Sequence, residues 1–437
     1  MPTLINLPNE LLFLIFQDLD LPSLIAVSCL CKRINAVALA QFISPHTNFY
    51  GIRLTTPSLR FGGSESRLAF NSIAALRLSF SSKCPVGFLS FQFSQEECLK
   101  EMEQVTRLFK TQRVLQSLSL HFPMPGLSEE PVSYSPTACC ASICSLLCHL
   151  RPVRCLTLNI NNAPEVEYPE GAKFHGPIVN TLKDVTLSRA HFMFTDFFRD
   201  WTLNIMMLSP LTQVSFVDVD IRDVLPSLSL PALKQLNIRC LDLHLSHVTP
   251  FLSRHPTIGI LMLRVITDDA FLIPDSLPEL IDISSTVECL SRLLSSPDSL
   301  PQLRRVVCYG SVILSTVPPP PASAVQILFQ NIALHDSIDT LDLPLVEFNV
   351  SDEWLSVTPR YEHLLTGITK LCINPSMTVR AESVVRQRII ESIVLFPRVE
   401  TVRLFGWSRC EEFARSIKAA CPRLQKIVSD ITDISII

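Results

Sequence analysis

Apolar positions fall into two rhythms along the chain. Over the first forty residues they recur at helical spacing. Leu11, Leu12, Ile15, Phe16 and Leu19 mark a first predicted helix, with Pro8 at its first position and Glu10 in its first turn. Pro22 opens a second, through Leu24, Ile25 and Val27. A third carries Leu30, Ile34, Val37 and Ala38 on one side, with Lys32, Arg33 and Asn35 off it. From residue 49 the rhythm changes to a short returning phrase, apolar-x-x-apolar-x-apolar. It stands as FYGIRL from Phe49, IAALRL from Ile73, LQSLSL from Leu115, VRCLTL from Val153, LKDVTL from Leu182 and LTQVSF from Leu211. It continues as LKQLNI from Leu233, IGILML from Ile258, LIDISS from Leu280 and LRRVVC from Leu303. The last are IDTLDL from Ile338, ITKLCI from Ile368, VETVRL from Val399 and LQKIVS from Leu424.

Proline runs in phase with the phrase. It stands two residues before the first apolar position at Pro231, Pro256, Pro278, Pro301, Pro397 and Pro422. Proline cannot continue a helix and biases its predecessor toward extended geometry. The predicted unit is therefore helix, proline turn, short strand. Connecting helices are predicted over residues 96–112, 137–149, 195–208, 381–396 and 411–420. Stretches rich in Pro, Ser or Gly at 55–67, 122–136, 161–177 and 315–324 read as insertions between units, and such loops are the candidate specificity elements.

This is the leucine-rich-repeat phrase, in which alternating apolar residues of a strand point into a shared core that only stacked neighbours can complete. A regular repeat places Asn three residues after the last apolar of the phrase. Only VRCLTLNIN does so, with Asn161, whereas other phrases put Ala190, Val219, Leu241, Ile266 and Ser376 there. The expectation is an α/β solenoid of irregular pitch with parallel strands. The rival is a plain α/β fold in which strand and helix repeat by chance.

The N-terminal run L-P-x-E-L-L-x-x-I-F-x-x-L, a Leu-rich helix and then C-K-R resembles the F-box. About forty residues cannot build a self-sufficient core, so such a unit leans on a neighbour or partner. The resemblance implies a short three-helix adaptor-docking module over residues 1–45, followed by a putative substrate-binding repeat domain over 46–437. It implies adaptor contacts from Leu7, Pro8, Glu10, Leu11, Leu12, Ile15, Leu24, Val27, Cys31 and Ile34. Many members carry Trp where this chain has Ile34. The partners implied are a Skp-type adaptor, through it a cullin, and an unknown target protein. The activity implied is that of the substrate-recognition subunit of a ubiquitin ligase, not an enzyme in its own right. The alternative is a scaffold whose first helices only cap the open end of the solenoid.

Composition narrows the chemistry. Among 437 residues, 47% are hydrophobic and 18% charged, which argues for a packed globular protein. The net charge of −4, with no long single-sign run, gives no footprint for nucleic acid. Fifteen cysteines without a basic n-region or a long apolar leader read as reduced thiols of an intracellular protein, in cytoplasm or nucleus. No apolar run approaches the length of a membrane span. Cys139, Cys140, Cys144 and Cys148 lack C-x-x-C pairing, so they read as packed thiols rather than a metal site. With 11 glycines there is no phosphate-cradling loop, nucleophile elbow or H-E-x-x-H. No cofactor is expected. The polyproline run 318–321 reads as a stiff loop, and Trp201 as helix packing.

Overall fold

The computed structural model of the chain describes residues 4–28, 30–38, 58–61, 88–110, 116–123, 135–150, 155–162, 164, 166–309, 322–344, 365–374, 386, 387, 389, 390, 393, 394, 396–404, 411–429 and 433–435. These divide into two compact units, Met1–Val224 and Leu225–Ile437. The phrases FYGIRL and IAALRL, the run 318–321, Trp354 and Trp407 lie outside the described residues.

The first unit begins with helices α1 (Asn9–Gln17), α2 (Leu21–Ser28) and α3 (residues 32–38). Six parallel strands follow in sequence order: β1 (Ser58–Phe61), β2 (Phe88–Gln92), β3 (Ser117–His121), β4 (Thr157–Asn161), β5 (Asp184–Ser188) and β6 (Gln213–Val217). Neither β1 nor β2 starts at one of the fourteen phrases. β1 falls inside the stretch 55–67 that was expected to be an insertion, and pairing with β2 makes it a strand instead.

In β4 the frame differs from the expected one. Thr157 pairs with Ser117 and Leu158 with Leu118, so the in-register phrase starts at Cys155, not Val153. Cys155 and Leu156 are both apolar, and either frame satisfies the alternation. Asn161 is then a strand residue opposite His121, not the repeat's turn asparagine. A different ladder forms at the strand ends. Asn162, Arg189 and Asp218, each two residues past the last apolar of its phrase, take φ of 64°, 52° and 49°. The amide of Asn162 donates to the Phe122 carbonyl at 3.0 Å, and Arg189 Nε donates to Asp218 at 3.2 Å. Asn and Asp tolerate this left-handed backbone better than most residues.

Helices Cys98–Phe109, Pro136–Cys148 and Arg199–Leu208 match three of the predicted ones, the last preceded by a 3-10 turn at His191–Phe194. The stretch 161–177 is packed rather than free. Phe174 sits against Trp201 with centroids 5.2 Å apart, and Tyr168 stacks on Phe197 at 5.0 Å. Trp201 is buried and its Nε1 donates to the Pro177 carbonyl at 3.0 Å. A Cβ on Gly176 would stand 2.4 Å from the Phe174 ring and 2.7 Å from Trp201, so glycine lets the loop close over the helix.

The second unit is more regular. Strands β7 (Gln235–His244), β8 (Ile260–Ile266), β9 (Asp282–Thr286), β10 (Arg305–Tyr309), β11 (Thr340–Pro344), β12 (Lys370–Asn374), β13 (Thr401–Leu404) and β14 (Lys426–Ser429) pair in parallel, and β15 (Asp433–Ser435) closes antiparallel on β14. Each of β7–β14 starts two residues after its phrase begins. The proline signal has a structural cause. In six of these repeats the N–H of the first apolar residue bonds the carbonyl three residues back, as Ile258 to His255 at 3.3 Å and Leu424 to Cys421 at 3.1 Å. Proline then occupies the second position of a four-residue turn, where its fixed φ is already correct. The same bond forms without proline at Ile338 onto His335 and Ile368 onto Leu365.

Helices Leu245–Ser253, Val287–Leu293, Ala322–Ile332 and Glu411–Ala420 connect these strands. The first carries Pro250 inside it, a breaker by sequence. The third takes in residues 322–324, expected to be insertion. Inward strand residues such as Leu236, Leu261, Ile283, Val306, Leu341, Leu371 and Val402 are wholly buried.

Candidate functional site

The N-terminal module carries its own small core. Leu12, Phe16, Leu24, Ile34 and Ala38 are buried together, with Leu7, Leu19, Val27, Cys31 and Val37 packed around them. Pro8 stands one residue before α1, as its cap with φ −53° and ψ 150°, rather than at the first helical position. Its carbonyl receives the Leu11 and Leu12 N–H groups at 3.2 and 3.1 Å. Arg33 of α3 fixes this corner, donating to the Leu7 carbonyl and, at 3.1 Å, to the Asn9 side chain. Asp20 opens α2: its Oδ1 accepts the Ser23 N–H at 3.0 Å, and the Ser23 hydroxyl, then this N–H, hold its carboxyl below the usual range. Asn35 was expected off the buried side. It is instead fully buried, because its amide donates to the Ser28 carbonyl at 2.8 Å and so satisfies the end of α2.

With that core satisfied, a second apolar set faces outward. Leu11, Leu14 and Ile15 lie three and four residues apart and so share one strip of α1, with Phe13 beside it. Leu11 is 46% exposed, Leu14 57%, and Leu30, just before α3, 65%. Leu30 was expected inside with Ile34, but it falls in the turn between helices. Scattered exposed leucines are ordinary, whereas a contiguous set on a nine-residue helix is a candidate interaction surface.

Of the ten residues singled out by sequence, the structure brings Pro8, Glu10, Leu11 and Ile15 to the surface and leaves Leu7, Val27 and Cys31 half-buried. Leu12, Leu24 and Ile34 are buried in the module's core. Sequence reasoning missed Phe13, Leu14 and Leu30. The signal was present: α1 is apolar on more than one face, with only Leu12 and Phe16 needed for a core of this size.

The repeats also present a surface, the sheet face whose side chains alternate with the buried ones. Outward positions of β2–β6 are mostly small and polar, including Ser90, Ser119, Asn159, Thr186 and Ser215. Ser119 Oγ lies 2.9 Å from His121 Nε2. Asp184 is the one acidic residue there, and burial pushes its carboxyl up. In the second unit this face is charged. Arg305 bridges Asp282 at 3.3 Å and Asp342, which is itself buried.

Among the described residues no group of three or more His, Cys, Asp or Glu is placed to hold an ion. Cys139 and Cys140 are buried, Cys144 half-buried and Cys148 exposed. Burial pushes the Cys139 and Cys144 thiols up to about 12, so they stay protonated. Among the described residues no helix is long and apolar enough to cross a membrane.

Residues 4–43 match the F-box-like family model, and a repeat fold follows them: the chain is an F-box-like module joined to leucine-rich-repeat-like α/β units. Among solved structures it is similar to the leucine-rich repeat-containing protein LegL7 from Legionella pneumophila. That similarity is 12% in identity, with a TM-score of 0.33, over 87% of this chain and 92% of that one. No curated protein matches the sequence. F-box and leucine-rich-repeat modules are typically non-catalytic interaction modules.

Proposed function

We propose that this chain is the substrate-recognition subunit of a cullin–RING ubiquitin ligase. The module over residues 1–45 docks on a Skp-type adaptor, and the repeats over 46–437 hold a target protein. The observation that carries the reading is the exposed strip of Leu11, Leu14 and Ile15 on a module whose own core is already closed by Leu12 and Phe16. An apolar strip uncovered beside a finished core has no folding role and gains free energy only under a partner. Pro8, held by Arg33, sets the entry of α1 and so the direction of the strip. Leu12, Leu24 and Ile34 act from inside, shaping the surface that Leu11, Leu14, Ile15 and Leu30 present. The chain makes and breaks no bond itself. It acts by proximity, raising the local concentration of activated ubiquitin around target lysines.

Co-purification of the full chain with a Skp-type adaptor tests this. A Leu11→Asp, Leu14→Asp variant changes only exposed positions, so its thermal unfolding matches wild type. It loses the adaptor, because a charge placed on a desolvated anchor costs about 2 kcal/mol or more. Failure of the folded wild-type chain to retain the adaptor leaves the scaffold reading, with α1–α3 as a cap on the repeats.

A further inference from the structure

The second unit carries two arginines side by side that form no ion pair with any described residue. Arg239 of β7 and Arg264 of β8 are register partners on adjacent parallel strands. Strand spacing sets their backbones about 5 Å apart. Arg239 donates to the Met262 sulfur at 3.0 Å, a neutral acceptor. Arg264 makes no hydrogen bond or ion pair with any described residue. Three carboxylates of the neighbouring segments are engaged elsewhere, and Asp242, exposed past the Arg239 register pair, makes no ion pair with it. Asp282 pairs with Arg305, Asp268 accepts the Ser246 and Ala270 N–H groups, and Asp269 pairs with Arg292. Like charges directly opposite on a sheet are unfavourable, and this pair stands without a paired anion among the described residues.

The surroundings are specific. The outward face of β8 reads Ile260, Met262, Arg264, Ile266, where the strands of the first unit present Ser, Thr and Asn. Ile260 is 42% and Ile266 39% exposed. Leu241 beyond Arg239, and Phe271 and Ile273 in the segment after β8, are more exposed still. The open face of β7–β14 also carries Arg305, Lys370, Arg403 and Lys426, with Asp282 and Asp342 among them on Arg305 and Asp339 beside Lys370. A basic face on a chain of net charge −4 is a local arrangement, not a reflection of composition.

We propose that Arg239 and Arg264 together hold the carboxylate of an Asp or Glu in an extended segment of the target, whose bulky apolar neighbours rest on Ile260 and Ile266. This deepens the reading of the repeats as the target-binding part and rests on it. Guanidinium pairs give a carboxylate planar, charge-assisted bonds, and the apolar flanks exclude water from them.

The test uses the full chain and four fluorescent pools of nine-residue peptides, with Ile and Leu flanking a central Glu, Gln, Lys or phosphoserine. The Glu pool binds at least tenfold tighter than the Gln pool, and the Lys pool does not bind. Arg239→Gln, Arg264→Gln loses at least tenfold for the Glu pool and unfolds at or above the wild-type temperature, since a like-charge contact has gone. A folded Arg264→Glu variant gains the Lys pool. Equal binding of the Glu and Gln pools, or unchanged binding in the double Gln variant, overturns the proposal. Tenfold preference for the phosphoserine pool overturns it in favour of a phosphate site. Adaptor capture by the same samples separates the two readings: Arg239→Gln, Arg264→Gln retains the adaptor, whereas Leu11→Asp, Leu14→Asp loses it and keeps the Glu pool.

Discussion

The N-terminal module and the repeats use the same leucine-rich alphabet to opposite ends. In the repeats each strand sends its apolar residues inward, and the next strand covers their flank, so Leu236, Leu261 and Leu341 are wholly buried. In α1 only Leu12 and Phe16 are buried, and the four apolar side chains around them stay at the surface. A repeat obtains its cover from its own chain, one unit after another. A forty-residue module cannot, and on the proposed reading its surplus apolar surface is what a partner covers. Apolar content alone does not separate the two cases; the number of residues available to cover it does.

Substitutions break this comparison most sharply when they exchange the two roles. Leu261→Ala opens a cavity in the second unit and lowers unfolding stability by about 2–5 kcal/mol, read from chemical denaturation, while adaptor capture by the folded fraction is unchanged. Leu14→Asp does the reverse, with denaturation unchanged and adaptor affinity down by about 2 kcal/mol or more, read by calorimetric titration. Asn35→Ala touches both properties. It leaves the Ser28 carbonyl without its amide donor and costs about 1–3 kcal/mol of module stability, with a parallel loss of adaptor.

Smaller effects sharpen the repeat side. His255 is buried between the Leu230 N–H, 2.9 Å from its Nε2, and the Phe251 carbonyl, 2.7 Å from its Nδ1. An N–H can only donate and a carbonyl only accept, so the folded imidazole is neutral with its proton on Nδ1. Burial, chiefly, holds it below its ordinary value of 6.5, and His335 is shifted the same way. The unfolded chain then binds more protons just below that value. Stability is complete above pH 6.5 and falls as pH drops through the window beneath it. Urea midpoints measured from pH 7.5 to 5 show the fall, and His255→Gln reduces its slope. Pro256→Ala, at the second position of a repeat turn, frees the unfolded chain and costs about 0.4–1 kcal/mol by the same assay.

The sequence already carried most of the repeat architecture, because phrase and proline report one physical event. The phrase marks the strand, and the proline marks the turn that delivers the helix into it. Where both are present, before β7–β10, β13 and β14, strand starts follow without error. Before β4 the proline, Pro152, stands out of phase, adjacent apolar residues at Cys155 and Leu156 allowed two frames, and only pairing with β3 selects one. The β2 phrase, Val86-x-x-Leu89-x-Phe91, fits the pattern and was passed over. Helix Leu245–Ser253 was hidden by Pro250.

The candidate docking residues were legible as a group and not as individuals. Helical spacing identifies apolar positions of α1 but does not say which face meets α2 and α3. That choice depends on the small core around Leu12 and Ile34, on the turn that leaves Leu30 outside, and on the Arg33 bonds that tie down residues 7–9. The paired arginines were invisible for a related reason: Arg239 and Arg264 are twenty-five positions apart, and only strand register makes them neighbours.

Backbone hydrogen exchange of the full chain, with and without a Skp-type adaptor, tests the central claim most directly. The account predicts slowed exchange in α1 and around Leu30 when the adaptor is present, with β7–β14 unchanged. Protection confined to the repeats, or none in α1 from an adaptor shown to bind, would contradict it.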